Sequence, residues 1–308
     1  MKEFIMKPKV DFCFKELMAD EEIRRGFLSA VLDITPEKIV KTSLLPTHLR
    51  KEYDDEKLGI LDVRILMNDC TQIDVEIQIA VFKMWAERSL FYLSKMFTET
   101  IREGEDYDSI KRCIHISILD FVLFEGVEEF HSRFHLWEDN RRQLYSDKFE
   151  IHVVELPKLM KHNYPNNALL SWTRFLNAEK REEFEMAASE DEFVNKAYDR
   201  LMYISADEEK RLQYEAREKA IRDHNHLMKY SRLEGFEQGC ADGFKQGKEE
   251  GIKEGIEQGK EEGIKIKLKE MIAKKLAGGK AAEVIADELE EEIEVVAELI
   301  DEIRKETL

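Results

Sequence analysis

Between residues 10 and 32, in VDFCFKELMADEEIRRGFLSAVL, Phe14, Leu17, Met18, Phe27, Leu28, Val31 and Leu32 recur at helical spacing. That spacing lays one apolar stripe along a helix, and Asp11 stands where a carboxylate can cap its start. The stretch 33–57 has two prolines and many charges and reads as loop with short elements. The period then drops to two. Residues 59–67 and 72–82 read as strands, with MNDCT turning between them. From Trp85 to Arg102 the helical period returns, in Leu90, Leu93, Phe97 and Ile101. Residues 112–124 are apolar enough for a central strand, and EIHVVEL, 150–156, forms a fourth. The order α–β–β–α–β…β predicts a mixed sheet with helices packed on it.

Beyond Pro165 the pattern changes. Residues 168–229 show no strand period and many Glu, Lys and Arg, which predicts two or three helices. In EGFEQGCADGFKQGKEEGIKEGIEQGKEEGIK, glycine then recurs at every fourth position from Gly235 to Gly263, eight of the fourteen in the chain. Glycine inside a helix costs up to about 1 kcal/mol against alanine, so eight cost roughly 8 kcal/mol. Small residues four apart let two helix backbones approach closely, and a period above 3.6 favours a right-handed crossing. The ladder therefore reads as a coiled-coil-like association element of a homodimer. The other reading is a flexible charged linker, against which the regular register argues. Residues 266–308 read as amphipathic helices broken at Gly278–Gly279. The expected division is 1–165, a sheet-containing core; 166–230, a helical extension; 231–265, the glycine segment; and 266–308, a small helical module.

Charge complicates this picture. Charged residues make up 37% of the 308 and the formal net charge is −18. A basic footprint is the usual mark of a nucleic-acid partner, so the balance counts against one, although local patches outweigh the sum. Cys13, Cys70, Cys113 and Cys240 form no CxxC pair and read as reduced thiols. The N-terminus has no apolar signal region, and no apolar run is long enough to span a bilayer. A cytoplasmic location with no membrane partner is the expectation.

Three carboxylates interrupt the strand pattern. Side chains alternate along a strand, so Ile73, Val75, Ile77 and Ile79 share one face while Asp74, Glu76 and Gln78 share the other. In the preceding strand Leu61, Val63 and Ile65 oppose Asp62 and Arg64. If the strands pair as a hairpin, Asp62 and Glu76 converge at one sheet edge. Two adjacent carboxylates repel unless a cation lies between them, and Mg2+ accepts such hard oxygen ligands together with water and phosphate oxygens. The plain reading of the same alternation is a solvated sheet face.

The ordered set DFCFKELM, GILDVRI, IDVEIQ and ERSLFYLSKMFTETIREGEDYDSIKRCIHISILDF resembles the PD-(D/E)XK nuclease superfamily. Within it the nearer resemblance is to the recombination-promoting nucleases and transposases, over roughly residues 8–230. It implies a restriction-endonuclease-like α/β (α+β) fold, a mixed sheet flanked by helices, followed by an all-helical C-terminal region. It also implies Mg2+ or another divalent cation as cofactor, DNA as partner, and phosphodiester cleavage in recombination or mobile-element biology. Asp62 and Glu76 match the metal-binding acids, and the backbone carbonyl of Ile77 completes their shell. Gln78 stands where the superfamily has lysine; neutral glutamine orients water only by hydrogen bonds, which shifts its activation towards the metal. Lys15 and Lys83 are the two candidates for the missing charge, and the sequence leaves the choice open.

Further residues enter with bland readings beside the functional ones. Asp74 shares the face of Glu76, and Glu16 is a weaker candidate acid on the first helix, where solvation is the simpler role. Arg88 and Tyr92, four apart on the helix after the second strand, are candidates to meet a phosphate. His131 and His135 have the spacing of a helical zinc pair but lack a third ligand. His224 and His226 read as surface residues, and Trp85, Trp137 and Trp172 as core anchors. The alternative function is a catalytically weak DNA-binding or regulatory protein that retains the fold: Asp62 and Glu76 favour the enzyme, Gln78 and the −18 charge the alternative.

Overall fold

The structure is a computed structural model that describes residues 4–49, 57 and 59–306. The first apolar stretch forms two helices, α1 (Asp11–Met18) and α2 (Glu21–Leu32). The break lies at Asp20, whose carboxylate accepts the N–H groups of Glu22 and Ile23 and so caps α2. Asp11 is not a cap: Val10 holds the N-cap position, and Asp11 lies in the first turn of α1.

A six-stranded sheet follows, made of β1 (Thr42–Leu45), β2 (Val63–Met67), β3 (Gln72–Gln78), β4 (Cys113–Leu119), β5 (His131–Trp137) and β6 (Leu144–Glu155). The spatial order is β1-β2-β3-β4-β6-β5. β2 and β3 pair antiparallel as the expected hairpin, with Arg64 opposite Asp74. Its turn holds Cys70 at φ 66°, and the Asp69 side chain accepts the Thr71 N–H. Helix α3 (Trp85–Thr98) carries the chain from β3 to β4, which lies parallel to it. β4 is parallel to β6, and β5 pairs antiparallel to β6 at the edge. Two of these strands escape the sequence pattern. β1 sits in the stretch read as loop, whose residues 50–56 lie outside the described residues. β5 contains His131 and His135, which are therefore strand residues, not a helical pair.

The two faces are covered differently. Ile73, Val75, Ile77, Ile114, Ile116 and Ile118 point into the main core beneath α1, α2 and the helices α4 (Ala168–Asn177), α5 (Arg181–Glu190) and α6 (Glu192–Ala206). Helix α3 closes the opposite face through Tyr92, Leu93 and Met96. Gly26 lets α2 meet α6 closely, since a Cβ there would lie 2.2 Å from that of Phe193. Trp85 and Trp172 are core residues, but Trp137, on the edge strand, is 49% exposed.

Helix α7 runs from Glu208 to Ala277 and includes the whole glycine ladder. It ends at Gly278–Gly279, where Gly279 adopts φ 80°, the left-handed turn that glycine supplies without strain. Helices α8 (Ala282–Leu289) and α9 (Ile293–Glu306) follow. The chain divides into two compact units, 1–225 and 226–308. The second has a small core of its own, with Ile272, Ile285, Val296 and Leu299. Among the described residues no helix is long and apolar enough to cross a membrane.

Candidate active site

The hairpin brings Asp62 and Glu76 together. Strand β2 pairs regularly from Val63 onwards, and Asp62 lies in the bend just before it. Its backbone N–H donates to Glu76 Oε1 at 2.7 Å, while its own Oδ2 accepts the Ile77 N–H at 3.2 Å. At the two ends of β3, the Gln72 N–H and the Gln78 C=O bond towards the β4 side. Backbone groups alternate along a strand, so those of Ile77 turn the other way, towards Asp62, where β2 has stopped pairing. Two carboxylates and one backbone carbonyl are thus gathered at one edge.

Each acid has one cation. Lys15 reaches from α1 to Asp62 Oδ1 at 3.0 Å. Arg88 reaches from α3 to Glu76 Oε2 at 3.4 Å. Arg88 also donates through Nε to the Tyr92 hydroxyl at 3.1 Å and lies over the rings of Trp85 and Tyr92. That stacking holds a guanidinium beside the acids at little entropic cost.

Asp74 is placed differently. It is fully buried behind Glu76, and its Oδ2 lies 2.7 Å from His115 Nδ1. His115 Nε2 meets Ser117 Oγ, to which the indole of Trp85 also donates, both at 2.9 Å. Burial pushes His115 down to about 4, so this partner is neutral. The other oxygen of Asp74, Oδ1, is buried with no hydrogen-bond partner among the described residues. Burial and the charge of Asp62 raise Asp74 well above the usual carboxylate range. Burial, then the charges of Asp74 and Asp62, push Glu76 up to about 9. The cluster is short of positive charge.

A cation bound among these acids would relieve that deficit. Among the described residues no three His, Cys, Asp or Glu side chains converge as a ready cage. A hard cation here fits the donor set of Asp62, Glu76 and the Ile77 carbonyl, with water or phosphate oxygens filling the remaining positions, the habit of Mg2+.

The other sequence-derived residues separate cleanly. Gln78 lines the cleft and donates its amide to the Ala80 carbonyl at 2.9 Å. Glu16 is ion-paired with Lys210 and Arg200. Lys83 is exposed beyond β3 and does not line the cleft. His131 and His135 belong to a separate cluster around Glu150.

The cleft holds about 440 Å3. Its walls include Lys9 and Asp11 from the N-terminal segment, Asp62, Ile77 and Gln78 from the sheet edge, and Arg217, Ala220, Ile221 and His224 from the start of α7. Sequence reasoning missed the α7 wall and dismissed His224. Its signal was the three- and four-residue spacing of Arg217, Ala220, Ile221 and His224, one helix face.

The mixed sheet thus presents two carboxylates beside a strand-end carbonyl, flanked by a lysine and an arginine. The family model of the PD-(D/E)XK nuclease family transposases matches residues 8–231, more than half of the chain, and the chain belongs to that family. No curated protein and no solved structure matches it.

Proposed function

We propose that the protein is a divalent-cation-dependent DNA endonuclease serving the movement or recombination of DNA elements. The observation that carries the reading is the joint placement of Asp62 and Glu76 in an acid cluster short of positive charge. Asp62, Glu76 and the Ile77 carbonyl would hold the cation, Mg2+ in the first instance. When bound, such a cation polarises a phosphoryl oxygen and lowers the pKa of its water. The protein's own groups do the rest. Lys15, 3.0 Å from Asp62, takes the role the family motif gives to lysine and meets charge developing on the phosphate. Gln78, neutral, aligns the attacking water by hydrogen bonding. Arg88, backed by Tyr92, holds a neighbouring phosphate. Lys9, Arg88 and Arg217 bring cationic side chains to the cleft of a chain whose net charge is −18, and local groups of this kind suit a polyanion.

The test is cleavage of supercoiled plasmid, in which torsional stress opens unpaired stretches, with Mg2+ and with chelator. Nicked and linear products that appear only with the cation are expected. The specific observation behind the alternative, a catalytically weak DNA-binding protein, is the Gln78 amide spent on the Ala80 carbonyl. Intact plasmid at saturating Mg2+, with DNA still bound, would replace the enzyme by that reading.

Pairing of two copies belongs to the same proposal. A Cβ added at any of the eight ladder glycines would meet nothing within 4 Å beyond its own helix turn, so among the described residues their face of α7 is open. The residue after each glycine adds a second stripe, with Phe236, Phe244, Ile252, Ile256 and Ile264 exposed on it. Two such helices, packed glycine to glycine, would cover both stripes. Gly247→Leu with Gly251→Leu is expected to shift sedimentation towards monomer while raising helicity. A wild type already monomeric at micromolar concentration would remove the dimer.

A further inference from the structure

We infer that the cleft accepts a single DNA strand and excludes the interior of an intact duplex, because the start of α7 is fixed across from the acids as a second wall. This rests on the DNA-hydrolase reading above and names the form of its substrate.

The wall is anchored turn by turn. Lys210 pairs with Glu16 of α1. The Arg211 guanidinium lies 4.4 Å from the centroid of the Phe4 ring, and Tyr214 meets the same ring edge-on at 5.8 Å. Tyr214 is buried, and its hydroxyl accepts the Lys7 N–H at 3.2 Å. Arg217 donates through Nε to both oxygens of Asp11 at 2.8 Å, with Nη2 2.7 Å from Oδ2. Ile221 packs against the main core. Moving this wall aside breaks all of these at once, so the start of α7 belongs to the first compact unit and bounds the cleft.

Size then decides the ligand. Pockets of about 300–1,000 Å3 bury one drug-sized molecule, and the 440 Å3 here is room for about one nucleotide. B-DNA, whose major groove alone is about 12 Å wide, is a far larger body than the one nucleotide this volume accommodates. The acids are also recessed: Glu76 is 2% exposed. A single strand has the flexibility to descend, and unpaired or frayed DNA avoids the few kcal/mol that extruding a paired nucleotide costs. The wall chemistry suits a strand. Ala220 and Ile221 offer apolar contact to sugar and base, and Arg217, which gives Asp11 only Nε and Nη2, keeps Nη1 for a phosphate oxygen.

The full chain with Mg2+ is given one fluorescein-labelled oligonucleotide in three forms: single-stranded, as a blunt duplex, and as a fork with unpaired arms. Cuts in the single strand and in the arms are expected, with the duplex interior cut at least about tenfold more slowly. Equal rates in the duplex interior overturn the inference. If no form is cut, the hydrolase reading fails, and the inference is judged by anisotropy without metal. Tighter binding of single strand than of duplex, weakened by Ala220→Trp, supports it. Equal binding, binding to neither, or no effect of a folded Ala220→Trp overturns it. Arg217→Gln, which keeps the helix, is the second variant. The slope of log affinity against log salt should fall by about 0.7, one phosphate contact to a single strand; an unchanged slope removes Arg217 from the strand path.

Discussion

Two buried acid clusters occupy opposite faces of the same sheet. On the face closed by α3 lie Asp74 and Glu76, with Asp62 at the edge. On the other face Glu150 pairs in register with Ile114, next to His152. Glu150 is fully buried, yet it is surrounded by donors: Arg112, Arg133 at 2.5 Å, His152 at 2.9 Å and His135 at 3.5 Å. Burial alone would raise its pKa, but hydrogen bonding and charge from His152 and Arg112 carry it down to about 2. The first cluster is the reverse. Three acids share Lys15 and Arg88, Arg64 opposite Asp74 is bonded to Glu99 and Gln72, Asp74 has a neutral histidine as its hydrogen-bond partner, and Glu76 is driven up to about 9. A carboxylate with surplus donors is finished structure. Acids in deficit would be balanced by the cation proposed above.

The largest expected effect separates the clusters outright. Asp62→Ala or Glu76→Ala should lower cleavage by roughly a thousandfold, about 4 kcal/mol in the barrier, with circular dichroism unchanged. Glu150→Ala should leave cleavage near wild type and cost about 2 kcal/mol of stability. That figure lies below the usual 3–5 kcal/mol for breaking a buried pair, because Arg112 and Arg133 are partly exposed. Urea titrations beside cleavage assays read both quantities. A Glu150 variant that is stable but inactive would undo the division.

Much of the first cluster was legible in the sequence, and almost none of the second. The hairpin, the alternation of Asp74 and Glu76 against Ile73 and Val75, and the approach of Asp62 to Glu76 all follow from a period of two within one short segment. The helix break at Gly278–Gly279 was equally local. Glu150 looked like one polar residue in EIHVVEL; besides His152 its partners come from β5 and from the approach to β4, and β5 itself was not read as a strand. An edge strand with Phe134, Leu136 and Trp137 all partly exposed leaves little alternation to read. The choice between Lys15 and Lys83 was illegible for the same reason. Lys83 is near Glu76 in sequence, and Lys15 is near Asp62 only after α1 packs across the sheet.

A smaller effect sharpens the charge balance of the first cluster. Lys15→Met should slow cleavage by roughly tenfold or more, a loss of about 1–3 kcal/mol of transition-state stabilisation. Lys83→Met should leave it within about twofold, since that side chain is exposed and away from the cleft. Steady-state rates at saturating Mg2+ decide between them. The reverse ranking would return the motif role to the strand end. Gln78→Lys in the Lys15→Met background is the complementary probe: recovered activity would mean that the two positions serve one charge.

The smallest effect is a slope, and its sign differs between the clusters. Without metal, folded Glu76 holds a proton up to about pH 9, whereas the unfolded chain loses it near 4.5. The folded state therefore binds more protons across that window, and stability falls as pH rises through it. Glu150 works in the opposite sense. Its folded pKa is depressed from 4.5 to about 2, so its contribution is present above about 4.5 and is lost as pH falls towards 2. His131, held down to about 4 chiefly by burial, acts in the same direction between 6.5 and 4. In chelator the melting temperature should accordingly decline on both sides of a maximum in the weakly acidic range. Glu76→Gln should flatten the alkaline side and Glu150→Gln the acid side, each by at most about 1.4 kcal/mol per pH unit for a single proton. Saturating Mg2+ should flatten the alkaline side of the wild type as well, because the cation then stands where the proton stood. It should leave the acid side unchanged, since Glu150 has its cations already. An alkaline decline in Glu76→Gln as steep as in the wild type would show that the alkaline slope does not come from Glu76.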